Sequence, residues 1–570
     1  MPLNSSDYHL LIISDLHLSE GRDERTHRLS RNEDFLFDEE FARFLDYHVK
    51  TDPARKWHLI INGDFCDFLQ VISSNFDEEF LAYLKVSTEA EGRKLLEIAR
   101  QDTKYGFDAG PGETVLKLWK VLNGHWMFTC ALIKFIEAGN LVSIGSGNHD
   151  AEWAYPLVRE HFHRMLGWFY GEKKCGSADA GKFHEICCAG VQFLDWFYYE
   201  PEVIWAEHGG QYDVENCFPH WLAPFLPKSD HIEMPWGSFF VRYFFNSVEQ
   251  QEPFADNIKP QSAFISWLII HHPLLALQFL YGNGRHMLKK MRRAWTISTG
   301  NDPRAAEHLK KRQELEQQWK VPAGVLADID AHQADSVFRE PKGIWKVWKA
   351  LTWAWPVSLS VVTIMLAAGV VGVVSILNHI AAPIAPAALK AWRADLVVKV
   401  AGAGAHDVYA FFQWIAFVYL VLGGLCALVV IGDWIYRLNK PKGSETCYLI
   451  ADAEFARSKL NVQFVTMGHT HDTDLASLQE GAEYFNTGTW TKVFSPEEEL
   501  TRDESELVFL QGLRGPAGLS CRLMKWEDGA GEPRLVKLFS DITAPGHPKK
   551  SRSANPQAQR PKGRARGTGA

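Results

Sequence analysis

Five short motifs, rich in residues that bind metals or transfer protons, occur in one order along the chain. They are Asp15-Leu16-His17, Gly63-Asp64-Phe65-Cys66-Asp67, Gly147-Asn148-His149-Asp150, His208-Gly209 and Gly468-His469-Thr470-His471. Together they offer two Asp, one Asn and four His as metal ligands, plus one further His and one further Asp for proton transfer. This set is typical of a centre in which two metal ions hydrolyse a phosphoester, because paired ions neutralise phosphoryl oxygens and lower the pKa of water. Mixed Asp, Asn and His ligation favours Mn²⁺, Fe or Zn²⁺.

Each motif directly follows a short apolar run, which predicts that the motif lies on a loop at the carboxyl end of a buried strand. The five runs cover residues 8–14, 57–62, 140–146, 201–206 and 461–467. Active sites of α/β sheets gather at this edge. Apolar spacing predicts helices over 35–49 and 115–138. Residues 70–112 form a charged excursion that either caps the site or lies on the surface.

Composition excludes some classes of protein. The 570 residues carry a net charge of −9, which argues against binding to nucleic-acid backbones. The nine cysteines include no CxxC pair, and the first residues lack the pattern of a secretory signal. We therefore expect reduced thiols and a catalytic domain that faces the cytoplasm.

Two long apolar runs separate the fourth motif from the fifth. Residues 355–378 and 408–432 contain no Asp, Glu, Lys or Arg, and each is long enough to span a bilayer as a helix. Tryptophans crowd the start of the first run, and basic residues flank the pair on both outer sides. This pattern predicts a transmembrane hairpin with cytoplasmic flanks; the alternative is a pair of buried core helices.

The fifth motif must reach the same metals as the other four, so the number of spans between His208 and His469 must be even. We therefore interpret the apolar residues 263–281, which His271-His272-Pro273 interrupts, as a buried or interfacial helix pair. The basic residues 545–570 predict a disordered tail, for which attraction to anionic lipid is one role.

The motifs resemble those of the calcineurin-like metallophosphoesterase family, with the pattern D-x-H, G-D-x-x-D, G-N-H-[D/E], a lone His and G-H-x-H. The resemblance covers about residues 8–210 and 450–540. It implies that Asp15, His17 and His471 bind one metal ion. It also implies that Asn148, His208 and His469 bind a second ion, and that Asp64 bridges the two. His149 would donate a proton to the leaving group, and Asp67 would orient its ring. Residues 484–490 resemble the family's strand after the last motif.

The sequence departs from the family pattern at three positions. Phe68 stands where protein Ser/Thr phosphatases have Arg, which argues against a phosphoprotein substrate. His149 stands where the distantly similar UDP-2,3-diacylglucosamine pyrophosphatases usually have Arg. Glu207 replaces the frequent Gly before His208, which leaves His220 and His231 as alternative ligands.

The fold class that the resemblance implies is α/β, a calcineurin-like phosphoesterase β-sandwich flanked by helices, with an inserted two-helix transmembrane hairpin. The predicted divisions are a core in two parts (8–210 and 445–540), a helical insertion (211–350), the hairpin (351–436) and the tail (545–570). The expected function is hydrolysis of a phosphomonoester, phosphodiester or pyrophosphate, of a lipid or nucleotide, at the membrane surface. The alternative is a catalytically inactive, membrane-tethered binding or regulatory protein.

Overall fold

The computed structural model describes four main parts of the chain. They are residues 7–250, 304–336, 448–492 and 506–538, together with Met287 and Lys289 and apart from short gaps at 24–25, 53–54, 77, 86–88, 102–104, 173–174, 176–179 and 228. Two compact units are distinguished: the first comprises Met1–Lys259, Leu277–Gly343 and Glu445–Ala570, and the second Pro260–Ala276 and Ile344–Ser444. The second unit lies wholly outside the described residues, as do the predicted hairpin (351–436), the segment 263–281 and the tail.

Among the residues that the structure does describe, no helix combines the length and the apolar character that crossing a membrane requires.

The described part is a mixed α/β fold with two mixed sheets. The strands are β1 (His9–Ile13), β2 (Trp57–Asn62), β3 (Leu141–Gly145), β4 (Val191–Leu194), β5 (Phe197–Glu200), β6 (Ile204–Glu207), β7 (Phe464–Met467), β8 (Thr473–Ser477), β9 (Glu483–Thr487), β10 (Val508–Gly515), β11 (Gly518–Glu527) and β12 (Glu532–Leu535). One sheet has seven strands in the order β12-β11-β10-β1-β2-β3-β4, and the other has five in the order β5-β6-β7-β9-β8.

Parallel pairing aligns the strand ends that carry the motifs. Strands β1 to β4 are parallel neighbours in the first sheet, and β6, β7 and β9 are parallel neighbours in the second. Every residue of β1 and β2 is buried, which explains why their sequences are continuously apolar rather than alternating. The carboxyl ends of the motif-bearing strands in the two sheets lie together, as two contacts show. Asn62 Nδ2 donates to the carbonyl of Glu207 (2.9 Å), and the hydroxyls of Ser14 and Thr487 are 2.7 Å apart.

Helices connect and cover the strands. They are α1 (Asp38–Thr51), α2 (Glu78–Leu84), α3 (Glu89–Ala99), α4 (Pro111–Gly124), α5 (Trp126–Glu137), α6 (Pro156–Glu172), α7 (Ala180–Gly190), α8 (Trp236–Phe240), α9 (Asn246–Glu249), α10 (Arg304–Trp319), α11 (Val325–His332) and α12 (Tyr448–Leu460). A π-helical turn, Val241–Phe245, joins α8 to α9. Helix α1 buries Phe41, Phe44 and Leu45, as its periodicity predicts. The excursion 70–112 contains α2 and α3, and the Tyr83 ring of α2 packs on Trp119 of α4.

The prediction of one helix over 115–138 is wrong. His125 interrupts it with φ −108° and ψ 45°, so α4 and α5 are separate helices. The backbone of Glu20 approaches so closely that a Cβ at Gly124 would lie 1.9 Å from the Glu20 carbonyl oxygen. The His125 ring then reaches Glu33 and Asp38, at 3.0 and 3.1 Å. Periodicity could not reveal this break, because its cause is a contact with a segment a hundred residues earlier in the chain.

The expectation of reduced thiols fails for one pair of cysteines. Cys130 of α5 and Cys175, which follows α6, form a disulfide whose Cα atoms are 5.2 Å apart. Among the described residues, five further cysteines form no disulfide: Cys66, Cys187, Cys188, Cys217 and Cys521.

Candidate metal centre

The five motifs converge where the carboxyl ends of the two sheets meet. The first three motifs follow β1, β2 and β3, and the last two follow β6 and β7. Their side chains form three groups whose potential ligand atoms lie within 4.8 Å of one another. These groups are Asp15-His17-His471, Asp64-His208-His469 and His17-Asp67-His149. Buried His and Asp groups at this edge could therefore hold a metal ion.

The first group contains residues from the first and the last motif. His17 Nε2 lies 3.1 Å from His471 Nε2, and Asp15 Oδ1 lies 3.5 Å from His471 Nε2 and 3.9 Å from His17 Nε2. Ligand atoms held at about 2.0–2.2 Å from one ion lie about 2.9–3.6 Å apart, depending on coordination geometry. The observed separations agree with these values to within a few tenths of an ångström, so the donor set fits a metal ion.

The potential ligand atoms of the second group are similarly close together. His208 Nε2 lies 3.1 Å from Asp64 Oδ2 and 3.2 Å from Asn148 Oδ1. The same Asp64 Oδ2 lies 3.7 Å from His17 Nε2 of the first group. Asp64 is therefore within reach of both groups, as a bridging carboxylate must be.

The alternative ligands lie elsewhere. His231 is hydrogen-bonded to Ser229 and Asp230 in an exposed turn, and the ring of His220 faces His308. Of the three histidines considered for the fourth position, the structure brings only His208 to Asp64 and Asn148.

His149 lies beside the two ligand groups and is held by Asp67. Its Nδ1 is 2.5 Å from Asp67 Oδ2, and its backbone N–H donates to Asp64 Oδ1 at 2.8 Å. Asp67 Oδ1 accepts the backbone N–H groups of Leu69 and Gln70, at 2.9 and 3.0 Å. A carboxylate only accepts, so the Nδ1 of His149 carries a proton and its Nε2 is left for other partners.

The third group, His17-Asp67-His149, shares His17 with the first. The two groups use different nitrogens of the His17 ring. Its Nδ1 lies 3.3 Å from Asp67 Oδ2 in the third group, and its Nε2 faces His471 in the first. Nδ1–H donation to a carboxylate is the usual support of a histidine ligand that binds metal through Nε2. This geometry favours Asp67 as a hydrogen-bond acceptor for two rings.

The loops that carry these residues have strained backbones. Asp15, His17, Asp64, His469 and His471 all have positive φ, between 50° and 70°. Such conformations cost free energy for residues with a Cβ and cluster at functional sites. The loops also approach one another closely: a Cβ at Gly147 would lie 2.0 Å from Asp64 Oδ1. Glycine is therefore required there by the close contact with Asp64, a predicted ligand.

Opposite charges within the cluster outweigh the effect of burial. Burial would raise the pKa of Asp15, but hydrogen bonds with His17 and His471 hold it well below its usual range. Burial would lower the pKa of His208, but the Asp64 carboxylate raises it to about 9. The Asp15 carboxylate thus stays ionised and the His208 imidazole attracts a proton. A divalent cation would compete for the same positions.

The exposed fraction of each side chain shows which side of the site is open. His149 and His471 are 15% and 20% exposed, whereas His208 is 5% exposed. The site is therefore open to solvent on the side of His149 and His471.

Sequence reasoning missed three supporting residues. The buried carboxylate of Asp150 accepts backbone N–H groups from Gly147 and Phe65, at 2.6 and 2.8 Å, and so ties two motif loops together. Asn486 of β9 donates to the carbonyl of Gly468 at 3.1 Å. Asp213 lies 3.1 Å from His469 Nε2. Asp150 ends a recognised motif and Asn486 lies in the strand noted above, but no pattern in the sequence marks Asp213.

No protein-family model, curated protein or solved structure matches the chain. The assignment of the site therefore depends on its own geometry and on the motifs.

Proposed function

We propose that this protein is a membrane-anchored, metal-dependent phosphoric ester hydrolase with the calcineurin-like sandwich architecture. Its substrate is a phosphomonoester, phosphodiester or pyrophosphate of a lipid or a nucleotide. Two divalent ions, of Mn²⁺, Fe or Zn²⁺, would be held by Asp15, His17 and His471 on one side and by Asn148, His208 and His469 on the other, with Asp64 between them.

One observation carries this proposal: Asp64 Oδ2 lies within 4 Å of ring nitrogens from both ligand groups, His17 at 3.7 Å and His208 at 3.1 Å. A single-ion site would not need a carboxylate between two separate sets of histidines. The chemistry that paired ions supply is neutralisation of the phosphoryl oxygens and a lowered pKa of water.

The chain's own residues account for the remaining steps. The carboxylates Asp15 and Asp64 and the neutral imidazoles set the charge of the site, which favours cations over protons as pH rises. His149 is partly exposed beside the ligands, so its Nε2 can protonate the departing oxygen. Asp67 holds the opposite nitrogen, keeps the ring oriented and stabilises its protonated form.

Membrane attachment is part of the proposal and derives from the apolar runs 355–378 and 408–432. The contact between His17 and His471 supports an even number of crossings, since the chain returns to the same centre after residue 436. A tether would raise the encounter rate with a substrate in the bilayer, which favours a lipid-linked phosphoester.

The test uses the full chain purified in detergent. Bound metal is quantified, and hydrolysis of bis-p-nitrophenyl phosphate, p-nitrophenyl phosphate, phospholipids and nucleotide diphosphates is measured for the wild type and for Asp64→Asn. We expect metal-dependent hydrolysis that the substitution abolishes. Equal behaviour of the two proteins on every substrate would contradict the proposal and favour a binding or regulatory role.

A further inference from the structure

Three of the predicted histidine ligands have their second ring nitrogen fixed by a named acceptor. His17 Nδ1 faces the carboxylate of Asp67 (3.3 Å), His208 Nδ1 faces the carbonyl of Asn62 (3.1 Å), and His469 Nε2 faces Asp213 Oδ2 (3.1 Å). Asp67 lies in a recognised motif and Asn62 ends β2. Asp213 lies in neither a motif nor a strand, five residues after His208.

Asp213 is itself held rigidly. Its Oδ1 accepts the backbone N–H of Glu215 at 2.9 Å, and its Oδ2 accepts Asn216 Nδ2 at 2.7 Å. Its carbonyl accepts the N–H of Cys217 at 2.9 Å. Each carboxylate oxygen therefore has a fixed partner within the turn, and Oδ2 keeps an orientation that can also accept from His469.

The chemistry of the pair determines which nitrogen of His469 is left for a ligand. A carboxylate has no proton to give, so the Nε2 of His469 carries the hydrogen and Nδ1 carries the lone pair. His469 must then bind through Nδ1, whereas the other two rings present Nε2. The backbone N–H of His469 donates to Asp15 at 3.0 Å, so both its backbone and its ring are fixed.

We propose that Asp213 is a positioning residue of the metal centre: it holds His469 in the tautomer and orientation that present Nδ1 to the metal ion on the Asn148-His208 side. This inference rests on the proposed metal centre. Asp213 belongs to the segment 211–350 and not to the two motif-bearing parts of the core. The start of that segment therefore takes part in the centre, in addition to any role near the membrane.

Two neighbouring contacts explain how the segment keeps Asp213 in place. The carbonyl of Gln211 accepts the N–H of Ala334 at 2.9 Å, and the carbonyl of Glu215 accepts the N–H of Gly237 at 2.9 Å. A Cβ at Gly237 would lie 2.2 Å from Asn216 Oδ1, the side chain whose amide nitrogen bonds Asp213. The turn that carries Asp213 is thus clamped from two sides.

The test is a metal titration of the chelator-treated full chain in detergent with Mn²⁺, comparing wild type, Asp213→Ala and Asp213→Asn. For Asp213→Ala we expect one of two Mn²⁺ equivalents to bind about 10- to 100-fold more weakly, the usual effect of losing such a partner. The other equivalent should bind as in wild type. Asp213→Asn should show a smaller loss, because its carbonyl oxygen can still accept from Nε2. At saturating Mn²⁺, the KM of any hydrolysis should match that of wild type.

The matched control is Asp230→Ala, which removes an Asp–His contact (3.0 Å to His231) in an exposed turn; it should leave both Mn²⁺ affinities unchanged. A second readout is the set of shifted, exchangeable imidazole N–H resonances in the Co²⁺-loaded protein. Asp213→Ala should remove one of them through faster exchange with solvent, which a purely structural role would not do.

The outcomes separate this inference from the proposed function. Wild-type protein that binds Mn²⁺ but hydrolyses nothing would contradict the hydrolase proposal, and the titration would still test Asp213. Unchanged affinities and resonances in Asp213→Ala, or an equal loss of both Mn²⁺ equivalents, would overturn the role of Asp213 alone. Wild-type protein that binds no divalent ion would overturn both.

Discussion

Two buried histidine clusters in this molecule differ in how their polar atoms face one another. Around His125, both ring nitrogens face carboxylates, Glu33 at 3.0 Å and Asp38 at 3.1 Å. At the candidate metal centre, the Nε2 atoms of His17 and His471 face each other at 3.1 Å. The first cluster is complete as a cation between anions. The second brings two ring nitrogens and the Asp15 carboxylate close together, a donor set that a metal ion would complete.

The two clusters also differ in backbone conformation. His125 lies at an ordinary helix boundary, with φ −108°, whereas five residues of the candidate centre have positive φ. Strain of this kind persists only where the surroundings determine it. Burial and opposite charges are therefore common to both clusters, whereas ligand-type side chains that converge on strained loops distinguish the candidate metal centre.

The largest expected effect is on metal binding and hydrolysis, and it should occur at the candidate metal centre but not at the His125 cluster. Asp64→Asn removes charge from the carboxylate between the two ligand groups, so we expect loss of bound metal and a fall in hydrolysis of at least about 10³-fold, equivalent to several kcal/mol of transition-state stabilisation. Metal analysis and steady-state rates measure this. Asp38→Asn, which removes a carboxylate from the His125 cluster, should retain wild-type metal content; metal loss in both variants would contradict the distinction.

The next effect distinguishes a proton donor from a ligand. His149→Ala should retain metal while hydrolysis falls about 10²- to 10³-fold, most strongly for substrates with poor leaving groups, because general acid catalysis is lost. Metal content and rates with a series of leaving groups provide the measurement. Loss of metal would instead favour His17-Asp67-His149 as a true ligand group.

A smaller effect concerns the packing of the motif loops. In Gly147→Ala the new methyl group would meet Asp64 Oδ1 at 2.0 Å, so we expect metal affinity to fall about 10- to 100-fold. The control is Gly167→Ala in α6, where a Cβ meets nothing within 4 Å. That control should leave metal affinity unchanged and stabilise the helix by about 0.5–1 kcal/mol. Equal metal affinities in the two variants would show that the close approach is unimportant.

The last effect concerns folding stability rather than metal binding, and it tests the charge of the His125 cluster through pH. Burial would lower the pKa of His125, but Glu33 and Asp38 raise it to about 10. The unfolded value is about 6.5, so protonated His125 stabilises the fold fully below that pH, and the contribution is lost as pH rises through about 10. Urea unfolding between pH 7 and 10 should show a steeper loss for wild type than for His125→Gln, on the order of a few kcal/mol. Parallel profiles would contradict a charged His125.

Much of the candidate site could be predicted because its residues follow strands directly. The runs before the motifs of Asp15, Asp64 and Asn148 form β1, β2 and β3 within one or two residues of their predicted bounds. The run at 201–206 was less accurate, since β6 begins at Ile204. The break at His125 and the support from Asp213 could not be predicted, because both depend on contacts between segments that no local pattern connects.

The sequence by itself determined which side chains could bind metal and that strand ends must carry them, because buried strands and motif spacing are local properties of the chain. Only the tertiary structure decided which ring nitrogen of His17, His208 and His469 is held by a hydrogen-bond partner. It also decided that His208, rather than His220 or His231, lies beside Asp64 and Asn148. The physical reason is that hydrogen-bond partners such as Asn62, Asp67 and Asp213 fix each ring from outside its own motif. Their positions follow from the pairing of strands and the packing of loops that are far apart in the chain.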